Sequence, residues 1–151
     1  MNIGDKLKEI NFLLDNGEIL KKKDLLGKKL IVYFYPKDDT PGCTKEAIEF
    51  SQLLAEFKNL RTNVIGVSKD TIEKHKKFIQ KHNLKVNLAS DENLVICKVF
   101  NTWVEKSMYG KKYMGIERAT FLFDENLRLI NIWNKVKVKN HAQEVLNFIS
   151  N

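Results

Sequence analysis

Residues 36 to 43 read Pro36-Lys-Asp-Asp-Thr40-Pro41-Gly42-Cys43. A cysteine here follows a Pro/Gly turn and precedes Thr44-Lys-Glu-Ala-Ile-Glu-Phe50, a run of good helix formers. A thiol at a helix N-terminus faces free backbone N–H groups and the positive end of the helix dipole. Both favour the thiolate, which is the nucleophilic form. Thr40, three residues earlier, can hydrogen-bond the thiolate or an oxygen held against it, and Pro36 offers an apolar wall that keeps water off the sulfur. Attack on an O–O or S–S bond requires such a nucleophile beside donors that meet the charge growing on the leaving atom. A cysteine is also often a small, inert core residue. The turn of exposed amides is what argues for chemistry here.

Arg118 is the second candidate. The chain has three arginines, Arg61, Arg118 and Arg128, against 23 lysines, and Arg118 immediately precedes the apolar run Ala119-Thr-Phe-Leu-Phe123. A guanidinium keeps its charge in low-dielectric surroundings and presents a planar fork of donors. Beside Cys43 it would steady the thiolate and hold a substrate oxygen. Its position fits a surface arginine at a strand edge equally well. The other cysteine, Cys97, lies in Leu94-Val-Ile-Cys-Lys-Val-Phe100 and reads as a core thiol on a helix face. The functional alternative, a resolving cysteine, needs the two Cα atoms within about 7 Å. Trp103, Tyr109, Tyr113 and Met114 flank Gly110-Lys-Lys112 and fit a second hairpin with ordinary packing.

The elements that must position these residues alternate. Leu30–Tyr35 is a continuous apolar run of strand length, as in a buried central strand. Asp15-Asn16-Gly17 between short apolar runs predicts a hairpin, and Lys23–Leu26 before Gly27 a helical turn. Ala47, Phe50, Leu53, Leu54, Phe57 and Leu60 recur at spacings of three and four, which predicts one amphipathic helix from Cys43 to Leu60. Val64–Val67 reads as a strand. Asp70, with Glu73 three residues on, predicts the N-cap of a helix carrying Ile72, Phe78, Ile79 and His82. Val86–Ala89 reads as a strand and Asp91–Phe100 as a helix. Ala119–Phe123 and Leu129–Trp133 predict two strands around Asp124-Glu-Asn126, and Asn140–Ile149 a final helix. This order predicts one α/β domain over residues 1–151, a thioredoxin-like fold with a mixed central sheet and helices on both faces.

Composition narrows the function classes. The net charge is +7, but the lysines are spread along the chain rather than clustered with aromatic residues, which argues against nucleic acid as the main partner. No apolar stretch approaches the roughly 20 residues of a membrane span, and charges occupy the start where a signal peptide needs an apolar block. A cytoplasmic protein is expected. Two cysteines make no disulfide framework, and a reducing compartment disfavours a permanent bridge. His75, His82 and His141 show no zinc-like spacing, so no metal is expected.

Phe34-Tyr-Pro36-Lys-Asp-Asp-Thr40-Pro-Gly-Cys43-Thr resembles the active-site segment of the peroxiredoxins, in particular the bacterioferritin-comigratory-protein or Q-type group. Pro36, Thr40 and Cys43 meet its Pro-x-x-x-Thr-x-x-Cys pattern. Ser90-Asp91, Trp103-Val-Glu105-Lys106-Ser107 and Gly115-Ile-Glu-Arg118-Ala-Thr-Phe-Leu resemble the group in order and spacing. The resemblance implies a thioredoxin-like thiol peroxidase without a bound cofactor, reducing hydrogen peroxide and organic hydroperoxides. It implies that Cys43 is the peroxidatic thiolate and passes through a sulfenic acid. Thr40 and Arg118 then polarise the peroxide, Pro36 shields the sulfur, and thioredoxin or a small thiol restores the enzyme, a monomer or weak dimer. Many members carry a resolving cysteine five residues after the first; here Ile48 stands there. A one-cysteine cycle with an outside thiol is expected, with Cys97 as resolving residue the alternative. A non-catalytic thioredoxin-fold redox sensor or binding protein is the competing class. Leu7-Lys8 and Ser51 also depart from the group, which uses Ala-Pro and often arginine there.

Overall fold

The apolar run at Leu30 forms β3 (Lys29–Phe34), the strand around which everything else is arranged. In the computed structural model, which describes residues 1–151, β3 pairs in parallel with β4 (Thr62–Ser68) and antiparallel with β8 (Ala119–Phe123). Strand alternation divides its side chains between two cores. Leu30, Val32 and Phe34 enter one cluster of 20 buried residues, while Ile31 and Tyr33, with Tyr35 just beyond the strand, enter another of 16. The sheet has seven strands in the order β2-β1-β5-β4-β3-β8-β9. The hairpin predicted at Asn16-Gly17 joins β1 (Asn11–Leu14) to β2 (Ile19–Lys21), and β1 pairs antiparallel with β5 (Asn87–Ser90). β5 runs parallel to β4, and β9 (Leu129–Trp133) closes the other edge beside β8.

Helices cover both faces. α2 (Pro41–Gln52), α3 (Leu54–Asn59), α4 (Ile72–His82) and α6 (His141–Ser150) contribute to the smaller core. α1 (Lys22–Leu25) and α5 (Val95–Val99) contribute to the larger. A separate two-stranded hairpin, β6 (Trp103–Met108) and β7 (Lys111–Ile116), stands outside the main sheet. No helix is long and apolar enough to cross a membrane.

Three local expectations need correction. The helix predicted over Cys43–Leu60 is two helices, broken at Leu53, whose backbone leaves helical geometry at ψ 4°. The apolar spacing runs unbroken through that residue, so the pattern could not mark it. Thr71, not Asp70, caps α4, its Oγ1 accepting from the Lys74 N–H at 3.2 Å. The buried Asp70 carboxylate is instead taken by the Ser68 hydroxyl and the Asp38 N–H. The helix predicted from Asp91 begins only at Val95, after Leu94 in left-handed conformation. Asp91 holds it from a distance, accepting from the N–H groups of Ile96 and Cys97 at 3.1 and 2.8 Å.

Candidate active site

Cys43 is set by the junction of β3 and α2. Thr40 is the N-cap, with extended backbone at φ −90° and ψ 156°, and Pro41 opens the helix. Proline suits that position because its φ is pre-set and its missing N–H would have had no partner. Cys43 is the third helical residue, where the backbone N–H still lacks an intrahelical acceptor. Its side chain is buried, 1% exposed, in the smaller core beside Tyr33, Tyr35, Ala47 and Phe50.

Arg118 arrives from the short segment between β7 and β8. Its Nη2 donates to Cys43 Sγ at 3.3 Å, and its Nη1 to Glu46 Oε1 at 2.7 Å. One planar fork thus ties the sulfur to a carboxylate one turn along the same helix. A Cβ on Gly42 would lie 3.3 Å from Nη2, so the glycine leaves the guanidinium its close approach. Glu46 is fully buried, and its Oε2 has no hydrogen-bond partner. Burial pushes its carboxyl up to about 7, against the opposing pull of Arg118. Burial works against the charge of Arg118, but Glu46 and the Cys43 sulfur hold its proton more firmly than usual.

The loop carrying Pro36 and Thr40 is anchored to α4. Asp38 is buried; its Oδ1 accepts from the Tyr35 hydroxyl and its Oδ2 from His75 Nδ1, each at 2.7 Å. The other ring nitrogen of His75 donates to the Ala89 carbonyl at 3.1 Å. The Asp38 N–H reaches Asp70 at 2.9 Å. Asp39, in left-handed conformation, binds Lys81 and His82, each at 2.7 Å, and these bonds hold its carboxyl below the usual range. Sequence reasoning passed over Asp38, His75 and Glu46. The available signals were the spacing of Glu46, which puts it on the face of Cys43, and that of His75, which puts it on the stripe of Phe78 and His82.

The remaining candidates separate. The Thr40 hydroxyl donates to the Lys37 carbonyl at 2.9 Å rather than to the sulfur, because the turn offers that nearer acceptor. Pro36 is exposed and lines a cavity on the outer side of the site. Cys97 lies in the larger core, so the sheet stands between it and Cys43. Burial, with Asp91 beside it, pushes its thiol far up. Leu7 is a core residue, and Ser51 Oγ accepts from the N–H groups of Lys85 and Val86, so both departures serve packing.

The chain is a thiol peroxidase of thioredoxin-like fold and belongs to the AhpC/TSA family, whose sequence pattern matches residues 3–132. Within it the chain groups with the Bcp and Q-type peroxiredoxins. It is 47% identical to peroxiredoxin Bcp of Bacillus subtilis over 146 residues, 97% of this chain and 93% of that one. It is 45% identical to a Coxiella burnetii protein described as a putative peroxiredoxin bcp, over 97% of each. Among solved structures, a cysteine-to-serine variant of Xylella fastidiosa PrxQ superposes with a TM-score of 0.94 at 39% identity, covering 99% of this chain and 96% of that one. The Xanthomonas campestris bacterioferritin comigratory protein, described for alkyl peroxide reduction, gives 0.89 at 37% identity over 97% and 98%. These relatives carry the thioredoxin-like fold and the reduction of peroxides over to this chain.

Proposed function

We propose that Cys43 is the peroxidatic residue of a one-cysteine cycle acting on hydrogen peroxide and alkyl hydroperoxides. The Cys43 thiolate attacks the terminal peroxide oxygen. The S–O bond forms as the O–O bond breaks, and the departing oxygen takes a proton to leave as water or an alcohol. The Arg118 fork and the free N–H groups of the first turn of α2 face the charge that moves from sulfur to oxygen. Thr40, donating to Lys37, keeps its oxygen lone pairs free to accept the peroxide hydrogen. Pro36 bounds the site on its solvent side. The observation that carries this reading is the 3.3 Å contact from Arg118 Nη2 to Cys43 Sγ at the third position of α2.

The sulfenic acid formed on Cys43 has no thiol at position 48 to condense with, and Cys97 belongs to the opposite core. An outside thiol, from thioredoxin or a small molecule, therefore closes the cycle. Peroxide consumption in the presence of a dithiol tests the reading. The wild type and Cys97→Ala turn over alike, whereas Cys43→Ser is inactive. Turnover by Cys43→Ser would overturn the role given to Cys43, and none by the wild type would favour a non-catalytic protein.

A further inference from the structure

On the solvent side of the site, Pro36, Lys37, Trp103, Lys106, Tyr113 and Met114 line a cavity of about 560 Å³ between the β6–β7 hairpin and the start of α4. That volume is in the range of small-molecule sites. Lys106 is its distinctive residue. It is half-buried and makes no ion pair, unlike Lys112 on the facing strand, which pairs with Glu105. Its stem crosses Gly115, where a Cβ would meet Lys106 Cδ at 3.2 Å, so the glycine lets the chain lie flat across the hairpin. Burial, and the Arg118 charge, lower the hold of Lys106 on its proton, while the Cys43 sulfur and the Glu117 carboxylate act the other way. The lining includes Pro36 and reaches Ile116, two residues from Arg118, so the cavity adjoins the site. Lys37, Lys69 and Lys74 add positive charge around the rim, with Lys69 over the Trp103 ring at 5.7 Å. Four lysines against two acids, Asp70 and Glu92, leave the lining net positive.

We propose that this cavity receives a carboxylate-bearing small thiol as the reductant of oxidised Cys43, with Lys106 holding its carboxylate. The inference rests on the peroxidase reading. The incoming thiolate attacks the sulfur of the Cys43 sulfenic acid. An S–S bond forms, the S–O bond breaks, and hydroxide leaves with a proton as water. A second thiol of the same kind attacks the mixed disulfide, releasing the Cys43 thiol and a small disulfide. A cation that forms no ion pair, beside a site whose chemistry demands an outside thiol, is what points to an anionic reductant rather than a neutral one.

The test oxidises the full chain with one equivalent of hydrogen peroxide. It then follows formation of the Cys43 mixed disulfide with three thiols of similar size: 3-mercaptopropionate, 2-mercaptoethanol and cysteamine. Rates are compared per thiolate. The wild type prefers 3-mercaptopropionate, and Lys106→Met, which keeps the packed stem, lowers that rate about fivefold, the worth of one ion pair at about 4 Å in water. The neutral and cationic thiols keep their rates, and Lys106→Glu shifts the preference toward cysteamine. Lys23→Met, on α1 beside the far edge strand β2, removes the same charge without effect. An unchanged charge preference in both Lys106 variants, or an equal loss in Lys23→Met, overturns the proposal. So does a Lys106→Met defect confined to oxidation by a carboxylate-bearing hydroperoxide and not by tert-butyl hydroperoxide, which would assign the site to substrate. Absence of sulfenic acid in the first step refutes the underlying peroxidase reading instead.

Discussion

Replacing Arg118 by lysine separates charge from geometry. The guanidinium spans Cys43 Sγ at 3.3 Å and Glu46 Oε1 at 2.7 Å with two different nitrogens. Lysine ends in one nitrogen on a shorter stem. The buried Glu46 carboxylate captures it, because leaving that charge unpaired costs more than leaving the sulfur without a donor. Cys43 then loses one charge-assisted hydrogen bond, worth about 1.5–3 kcal/mol. At about 1.4 kcal/mol per factor of ten, the rate constant of Cys43 with hydrogen peroxide falls about ten- to hundredfold. Quenched-flow alkylation of the reduced protein, read by mass spectrometry over a range of peroxide concentrations, measures that constant without involving the reductant. Arg118→Met completes the comparison. Without Arg118, Glu46 takes up a proton still more readily, so this variant is only mildly destabilised at pH 6 and more so at pH 8. A folded Arg118→Lys protein reacting within twofold of wild type would falsify the role given to the fork.

Glu46 makes a second, independent prediction about pH. Its carboxyl stands at about 7 in the fold against an ordinary 4.5, so the folded state binds the proton more tightly than the unfolded chain. The favourable neutral form is fully present below about 4.5 and is lost as pH rises to about 7, at a cost of about 3 kcal/mol. Urea midpoints of wild type, corrected by those of Glu46→Gln, should show that slope between these values, and parallel pH profiles of the two proteins would refute it. Asp38→Ala strips both His75 Nδ1 and the Tyr35 hydroxyl of their acceptor and is expected to cost about 3–5 kcal/mol in urea denaturation; a loss under 1 kcal/mol would show that the network does not hold the loop. Cys97→Ala leaves peroxide turnover unchanged in a dithiol-coupled assay while lowering stability by about 1 kcal/mol, since it removes one buried sulfur. Gly42→Ala crowds Arg118 Nη2 and should slow Cys43 oxidation severalfold with little change in melting temperature, an outcome a merely structural glycine would reverse.

What could be read from the chain follows from how local each feature is. Cys43 was legible because its cradle, a strand end, a Pro/Gly turn and a helix start, is contiguous in sequence. The alternation of strands and helices and both antiparallel hairpins at the sheet edges were legible for the same reason. Arg118 approaches from 75 residues away, and only the family resemblance distinguished it from a strand-edge arginine. Glu46 looked like any acidic residue of an amphipathic helix; its burial depends on the guanidinium that meets it. His75 sits on the apolar stripe of α4, yet its partners come from the β3–α2 loop and from β5, and no periodicity records such a meeting. The break at Leu53 and the delayed start of α5 are single-residue backbone events under an uninterrupted apolar pattern.

In the proposed cycle Cys43 alone carries the oxidation and waits for an outside thiol. Intact mass of the reduced protein after one equivalent of hydrogen peroxide, followed by peptide mapping, addresses it directly. One added oxygen is expected on the peptide containing Cys43, with Cys97 still a free thiol. Loss of two hydrogens, mapped to a Cys43–Cys97 disulfide, would contradict the one-cysteine cycle, because the sheet that separates the two cores would then have to open. An unchanged mass would contradict the peroxidase reading itself.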